Sequence, residues 1–155
     1  MTSPIRQCYD AVRETIGQER AERLGRIDSR DVRRFTVAVR GEEPRPEDPV
    51  HPLFLTSILH WGTGPGGSGL RPDGLGPDDT HGLPVDEVRV MGAGQEIVVH
   101  RRPEPGTVVT IHTSVTDADY RHGRTGELLI VRVRRRFGDD SGADLVTCHE
   151  TFLAR

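Results

Sequence analysis

Ten residues near mid-chain, Pro52 to Trp61 (PLFLTSILHW), constrain this chain most. Leu53, Phe54, Leu55, Ile58, Leu59 and Trp61 leave little polar surface. A surface helix keeps a polar face, whereas one that is apolar nearly all round is buried. A helix buried on most sides needs a sheet wrapped around it. The spacing therefore predicts a central helix, and the second half of the chain supplies the strands.

From Glu87 onward the pattern is β. Glu96 to Arg101 carries Ile97 and Val99 on one face. The corner Arg102-Pro103-Glu104-Pro105-Gly106 turns the chain, since Pro fixes φ and Gly permits φ > 0. Thr107 to Thr116 then alternates, with Val109, Ile111, Thr113 and Val115 on one side. Two more strands, Glu127 to Phe137 and Asp144 to Leu153, flank a polar hairpin turn from Gly138 to Gly142. In the last strand Val146, Cys148 and Phe152 form the inward set.

Upstream, Ser3 to Ile16 reads as a helix, with Ile5, Cys8, Val12 and Ile16 close to one face and Gly17 as its stop. Arg23 to Ile27 is a short strand. Ser29 caps a second helix, Arg30 to Val39, with Val32, Phe35 and Val39 on a shared face and Gly41 at its end. Glu42 to Pro49, acidic and proline-rich, is a loop. Gly62 to Gly82 holds eight of the 18 glycines and is expected to be a mobile loop, either a solvated spacer or a lid. It lacks the Gly-Lys-Ser/Thr ending of a phosphate loop. The order of elements gives an α+β fold, and 155 residues suit one domain over 1–155 with a genuine core.

Composition removes several function classes. A net charge of -3 argues against a nucleic-acid protein. All 21 basic residues are Arg, so a lysine Schiff base is excluded. Cys8 and Cys148 lack zinc-site spacing, and His112, His122 and His149 have no partner at metal-ligand spacing, so no metal is expected. No apolar run approaches the ~20 residues of a membrane span, and MTSPIRQCYDAV lacks the core of a signal peptide. A cytoplasmic, soluble protein is the expectation.

The stretch Met91 to Asp117 (MGAGQEIVVHRRPEPGTVVTIHTSVTD) resembles the "GGQE…YHRP…PGD" segment of MaoC-like dehydratases, particularly their N-terminal FAS1-like half-domain, a hot-dog fold. Val115 to Leu128 is similar to that family's "V-x-D-x-Y-x-x-x-G-x-x-G-x-L" passage between long strands. Val50 to Leu55 resembles the entry to the central helix, and Phe35 to Gly41 the "F-A-x-A-x-G" helix end. The resemblance implies one hot-dog domain, a curved antiparallel sheet around a central helix, that adds or removes water on an enoyl or 3-hydroxyacyl thioester. It implies no cofactor beyond the CoA or phosphopantetheine that the substrate carries.

In R-specific hydratases of this family an Asp and a His in a "G-D-x-N-P-L-H" loop share a water, one taking a proton and the other giving one. A backbone N–H at the start of the central helix polarises the carbonyl. This chain departs there, reading Glu42-Glu43-Pro44-Arg45-Pro46-Glu47-Asp48-Pro49-Val50-His51 after Gly41. Either Glu42 stands in the Asp position with no matching His, or Asp48 and His51 form a compressed catalytic pair, or the subunit has no complete dyad. FAS1-like half-domains commonly lack the dyad and pair with a second hot dog that has it. The resemblance thus implies a homo- or hetero-oligomer with a MaoC-like partner. A lone hot dog also leaves a sheet edge uncovered.

By the same resemblance, Pro52, Leu53 and Phe54 at the helix entry, Gln95, His100, Arg121 and Arg124 are the candidate substrate-binding residues. His51 and His100 have structural alternatives, a loop or strand-end hydrogen bond. Arg132, Arg134 and Arg136 alternate along one strand face, either solvated or facing CoA phosphates. A rival reading is a non-catalytic acyl-thioester or polyketide-binding hot dog. A hot-dog thioesterase is disfavoured, because Pro52 to Trp61 offers no Asp or Glu as base.

Overall fold

The computed structural model describes residues 2–57, 66–70, 88–124 and 126–155. Helix α1 spans Pro4–Arg13, strand β1 Glu19–Arg26 and helix α2 Ser29–Arg40. A short helix α3, Phe54–Ser57, precedes strands β2 (Val90–Val99), β3 (Val108–Gly123), β4 (Gly126–Asp139) and β5 (Asp144–Ala154). The strands form one antiparallel sheet in the order β1-β3-β4-β5-β2.

Strict alternation on β4 and β5 decides what faces inward. Leu129, Val131, Val133 and Phe137 of β4, and Val146, Cys148 and Ala154 of β5, are buried, as residues two apart on a strand share a face. Two apolar clusters cover that face. One joins Ile5, Cys8 and Val12 of α1 to Val115, Leu129, Val131 and Val133. The other joins Phe54 and Leu55 of α3 to Ile27, Val32, Val109, Ile111, Phe137 and Val146. Extra residues interrupt the ladders at Arg23/Gly25, Gly92/Gly94 and Val115/Asp117, and such bulges bend and twist a sheet.

The described start of the central helix buries two of its four residues: Phe54 and Leu55 are each 1% exposed, Thr56 is half-buried and Ser57 exposed. Its expected continuation through residues 58–61 lies outside the described residues. So does most of the glycine-rich stretch expected to be mobile over 62–82; of it, residues 66–70 are described, with a single 3-10 turn at Gly67–Gly69.

Several local expectations need correction. Helix α1 stops at Arg13, and Ile16, expected on its buried face, is 40% exposed and instead bridges to Val115. The cap of α2 is Asp28, whose carboxylate accepts from the N–H of Arg30 at 2.7 Å; Ser29 is already helical. In α2 the inward row is Val32 and Thr36, with Val39 51% exposed in the last turn. Gly41 ends the helix as expected, at φ 77°.

Strand β1 is longer than the sequence indicates and carries Glu19, Arg20, Glu22, Arg23 and Arg26. It has no apolar alternation because it is an edge strand, held by main-chain pairing to β3. No described helix is long and apolar enough to cross a membrane.

Candidate functional site

The acidic loop after α2 returns to the sheet beside the Pro-Gly corner that precedes β3. Between them lies a cleft of about 380 Å³ lined by Glu47, Asp48, Val50, Arg102, Pro103 and Glu104, among others. The prolines hold both walls in fixed backbone conformations.

Asp48 faces this cleft but is held from within its own loop. Its Oδ2 accepts from the N–H of Arg45 at 3.0 Å and lies 3.8 Å from the Arg40 guanidinium. His51 is turned elsewhere. Its ring packs at 5.6 Å, tilted by 55°, against Phe35 of α2, which in turn meets Phe54 edge-on at 5.6 Å. Its Nδ1 accepts from the N–H of Leu53 at 3.2 Å, and its carbonyl accepts from the N–H of Phe54 at 2.9 Å. Among the described residues no hydrogen bond or ion pair joins Asp48 to His51.

At the helix entry, then, Pro52 has no N–H to give, and the N–H groups of Leu53 and Phe54 both go to His51. Leu53 is 41% exposed, while Phe54 is core.

The remaining candidates do not converge on this cleft. His100 ends β2, its Nε2 2.9 Å from the Thr147 hydroxyl. Arg121 pairs with Asp119 at 2.8 Å, and Arg124 sits exposed in the β3–β4 turn. These two arginines lie at the far end of β3 from the cleft, about 40 Å along the strand at its ordinary rise per residue. The alternating arginines of β4 are occupied: Arg132 pairs with Asp117, Arg134 with Glu19 at 3.5 Å, and Arg136 with Asp144 at 2.9 Å and Glu19 at 3.7 Å.

One polar group on the inward face escaped the sequence reading. Arg135 (3% exposed) and Glu150 (8% exposed) lie between the two apolar clusters. Arg135 Nε donates to Glu150 Oε2 at 2.7 Å, joined by a terminal guanidinium nitrogen on the same oxygen. Gln95 of β2 donates to Glu150 Oε1 at 2.8 Å. The signal was present, since Arg135 shares strand parity with Val133 and Phe137, and Glu150 with Cys148 and Phe152. Beside this group the Cys148 thiol is pushed up to about 11 by burial first and by the Glu150 charge second.

A curved antiparallel sheet over a buried helix, with a loop cleft at the helix entry, defines a hot-dog domain of the hydratase and dehydratase type. Residues 63–148 match the FAS1-like, dehydratase domain region. That is more than half of the chain, and the protein belongs to this family. No curated protein matches the chain.

Among solved structures it is similar to the ChsH1-ChsH2 complex from Mycobacterium tuberculosis, with TM-score 0.65 and 16% identity over 96% of this chain and 89% of that one. The MaoC-like dehydratase from Rhodospirillum rubrum gives TM-score 0.61 and 13% identity over 89% and 90%. The HadBC (3R-hydroxyacyl-ACP dehydratase) complex from Mycobacterium tuberculosis gives 0.56 and 16% over 90% and 96%. At these identities the likeness concerns the fold.

Proposed function

We propose that this chain is a subunit of a cytoplasmic hydratase or dehydratase acting on enoyl or 3-hydroxyacyl thioesters of CoA or a carrier protein. It lacks a working dyad of its own and pairs with a hot-dog partner that supplies one. The observation that carries this reading is at the helix entry, where the groups the chemistry requires are already engaged. Asp48 is tied to Arg40 and Arg45, His51 Nδ1 to the N–H of Leu53, and the N–H of Phe54, first of the helix, to the His51 carbonyl. A general acid-base pair needs both groups within reach of one water, and a carbonyl needs uncommitted donors.

The two sheet edges support a partner. Strand β1 is studded with five charges, a common guard against edge pairing. Strand β2 (VMGAGQEIVV) has one charge and exposes Val98 and Val99 at 40% each. Among the described residues it pairs on one side alone, with β5. Two of the similar structures, ChsH1-ChsH2 and HadBC, are two-protein complexes.

The test is to co-purify the chain with the product of its neighbouring gene and assay hydration of crotonyl-CoA. Turnover in the mixture alone supports the proposal. Turnover by this chain alone, lost in Asp48→Asn or His51→Ala, would establish the compressed pair instead. Thermal stabilisation by the thioester with no turnover in any mixture would favour a binding protein.

A further inference from the structure

The Arg135–Glu150–Gln95 chain runs from the buried middle of the sheet to the edge strand β2. Each oxygen of Glu150 is used: Oε2 takes both contacts from Arg135 and Oε1 takes the Gln95 amide nitrogen at 2.8 Å. A carboxylate accepts only, so it fixes which end of the Gln95 amide turns towards it. Nitrogen is held inward and carbonyl Oε1 is left as an acceptor without a partner among the described residues. Gln95 follows the bulge at Gly92/Gly94. Gln95 is itself an exposed residue of this strand, so the acceptor can be reached.

We infer that Arg135 and Glu150 are positioning residues that hold the Gln95 carbonyl oxygen ready to accept from an amide N–H of the substrate's pantetheine arm. This rests on the thioester reading above. The arm is linear, uncharged and carries two secondary amides, so it suits a fixed neutral acceptor on an exposed strand residue. CoA and carrier-protein thioesters share it. A buried ion pair is a costly way to gain stability alone, since an apolar pair of similar size does as well or better. The pair fixes the orientation of the Gln95 amide.

The test uses the co-purified complex with crotonyl-CoA and with S-crotonyl-pantetheine. Gln95→Leu is expected to raise KM about tenfold for both substrates while kcat stays within about twofold, the scale of one hydrogen bond. Glu150→Gln should raise KM similarly, and add nothing further in the Gln95→Leu background, because it acts through Gln95. In the 15N spectrum the Gln95 side-chain amide should exchange slowly with water in the wild type and rapidly in Glu150→Gln. If Glu150→Gln does not fold, Arg135→Met with Glu150→Leu removes both charges together and should still raise KM.

An active complex in which Gln95→Leu leaves KM unchanged overturns this assignment alone. Additive effects of Gln95→Leu and Glu150→Gln overturn the positioning role. A wild-type complex with no turnover overturns the functional reading and the pantetheine assignment with it.

Discussion

The N–H of Leu53 donates to Nδ1 of His51 at 3.2 Å, so Nδ1 serves as the acceptor nitrogen of this ring. His51 thereby serves as the cap of the central helix. We expect His51→Ala to lower stability by about 1 kcal/mol, the worth of one such bond. Hydration by the complex should change less than threefold, where loss of a general acid or base costs at least a hundredfold. Urea melts and crotonyl-CoA assays of the same preparation separate the two outcomes.

Partner binding should depend on β2. Val98→Lys places a charge on its exposed, uncharged end. Size-exclusion chromatography should show the variant running apart from the partner with an unchanged circular dichroism spectrum. Arg23→Lys on β1, the charged edge, should leave the complex intact. Equal disruption by both would dissociate assembly from the edge asymmetry.

Neighbouring residues at the helix entry should differ sharply in cost. Phe54 is 1% exposed and Leu53 41%. Truncating a buried Phe to Ala costs about 3–5 kcal/mol in transfer and cavity terms, a large share of the ~5–15 kcal/mol holding a domain. Phe54→Ala should lower Tm strongly or prevent folding, and Leu53→Ala should shift it by a few degrees at most. A comparable loss at both positions would place the helix elsewhere.

Asp139 makes the β4–β5 turn sensitive to acid. The Ser141 hydroxyl, the N–H of Ala143 and the Arg101 guanidinium bring its carboxyl from 3.8 down to about 2. Burial opposes them without prevailing. A depressed folded-state value gives stability that is full above about pH 4 and lost as pH falls towards 2. The stability gap between wild type and Asp139→Asn, read from urea midpoints, should be widest near pH 5 and close by pH 2. A gap that stays constant over this range would remove the carboxylate as its cause.

Both thiols should be inert in the native protein. Cys8 and Cys148 are buried thiols, and burial first and the Glu150 charge second push Cys148 up to about 11. The thiolate is the nucleophile. Ellman's reagent at pH 8 should therefore find no reactive thiol in the folded protein and two in guanidinium. Rapid native labelling would show that the inner face opens.

Much of this was written locally. The apolar run at Pro52, the alternation of Val109 to Val115 and of Leu129 to Phe137, and the Pro-Gly corner gave the α+β class, since periodicity and turn chemistry act between near neighbours in sequence. The resemblance around Met91 to Asp117 gave the family. The ends of elements were less legible. The carboxylate of Asp28, one residue before Ser29, took the cap, and Ile16 was released when α1 ended a turn early.

What the chain alone left open depended on contacts between residues far apart in sequence. β1 has no pattern of its own because β3, some ninety residues later, supplies its partners. Asp48 and His51 are three positions apart, yet one is drawn to Arg40 and the other to Phe35. Glu150 shares strand parity with Cys148 and Phe152, but only the fold set it against Arg135 and Gln95. Sequence dictates which face a side chain takes; only the assembled sheet dictates what it meets there, because partners for a buried charge come from other strands.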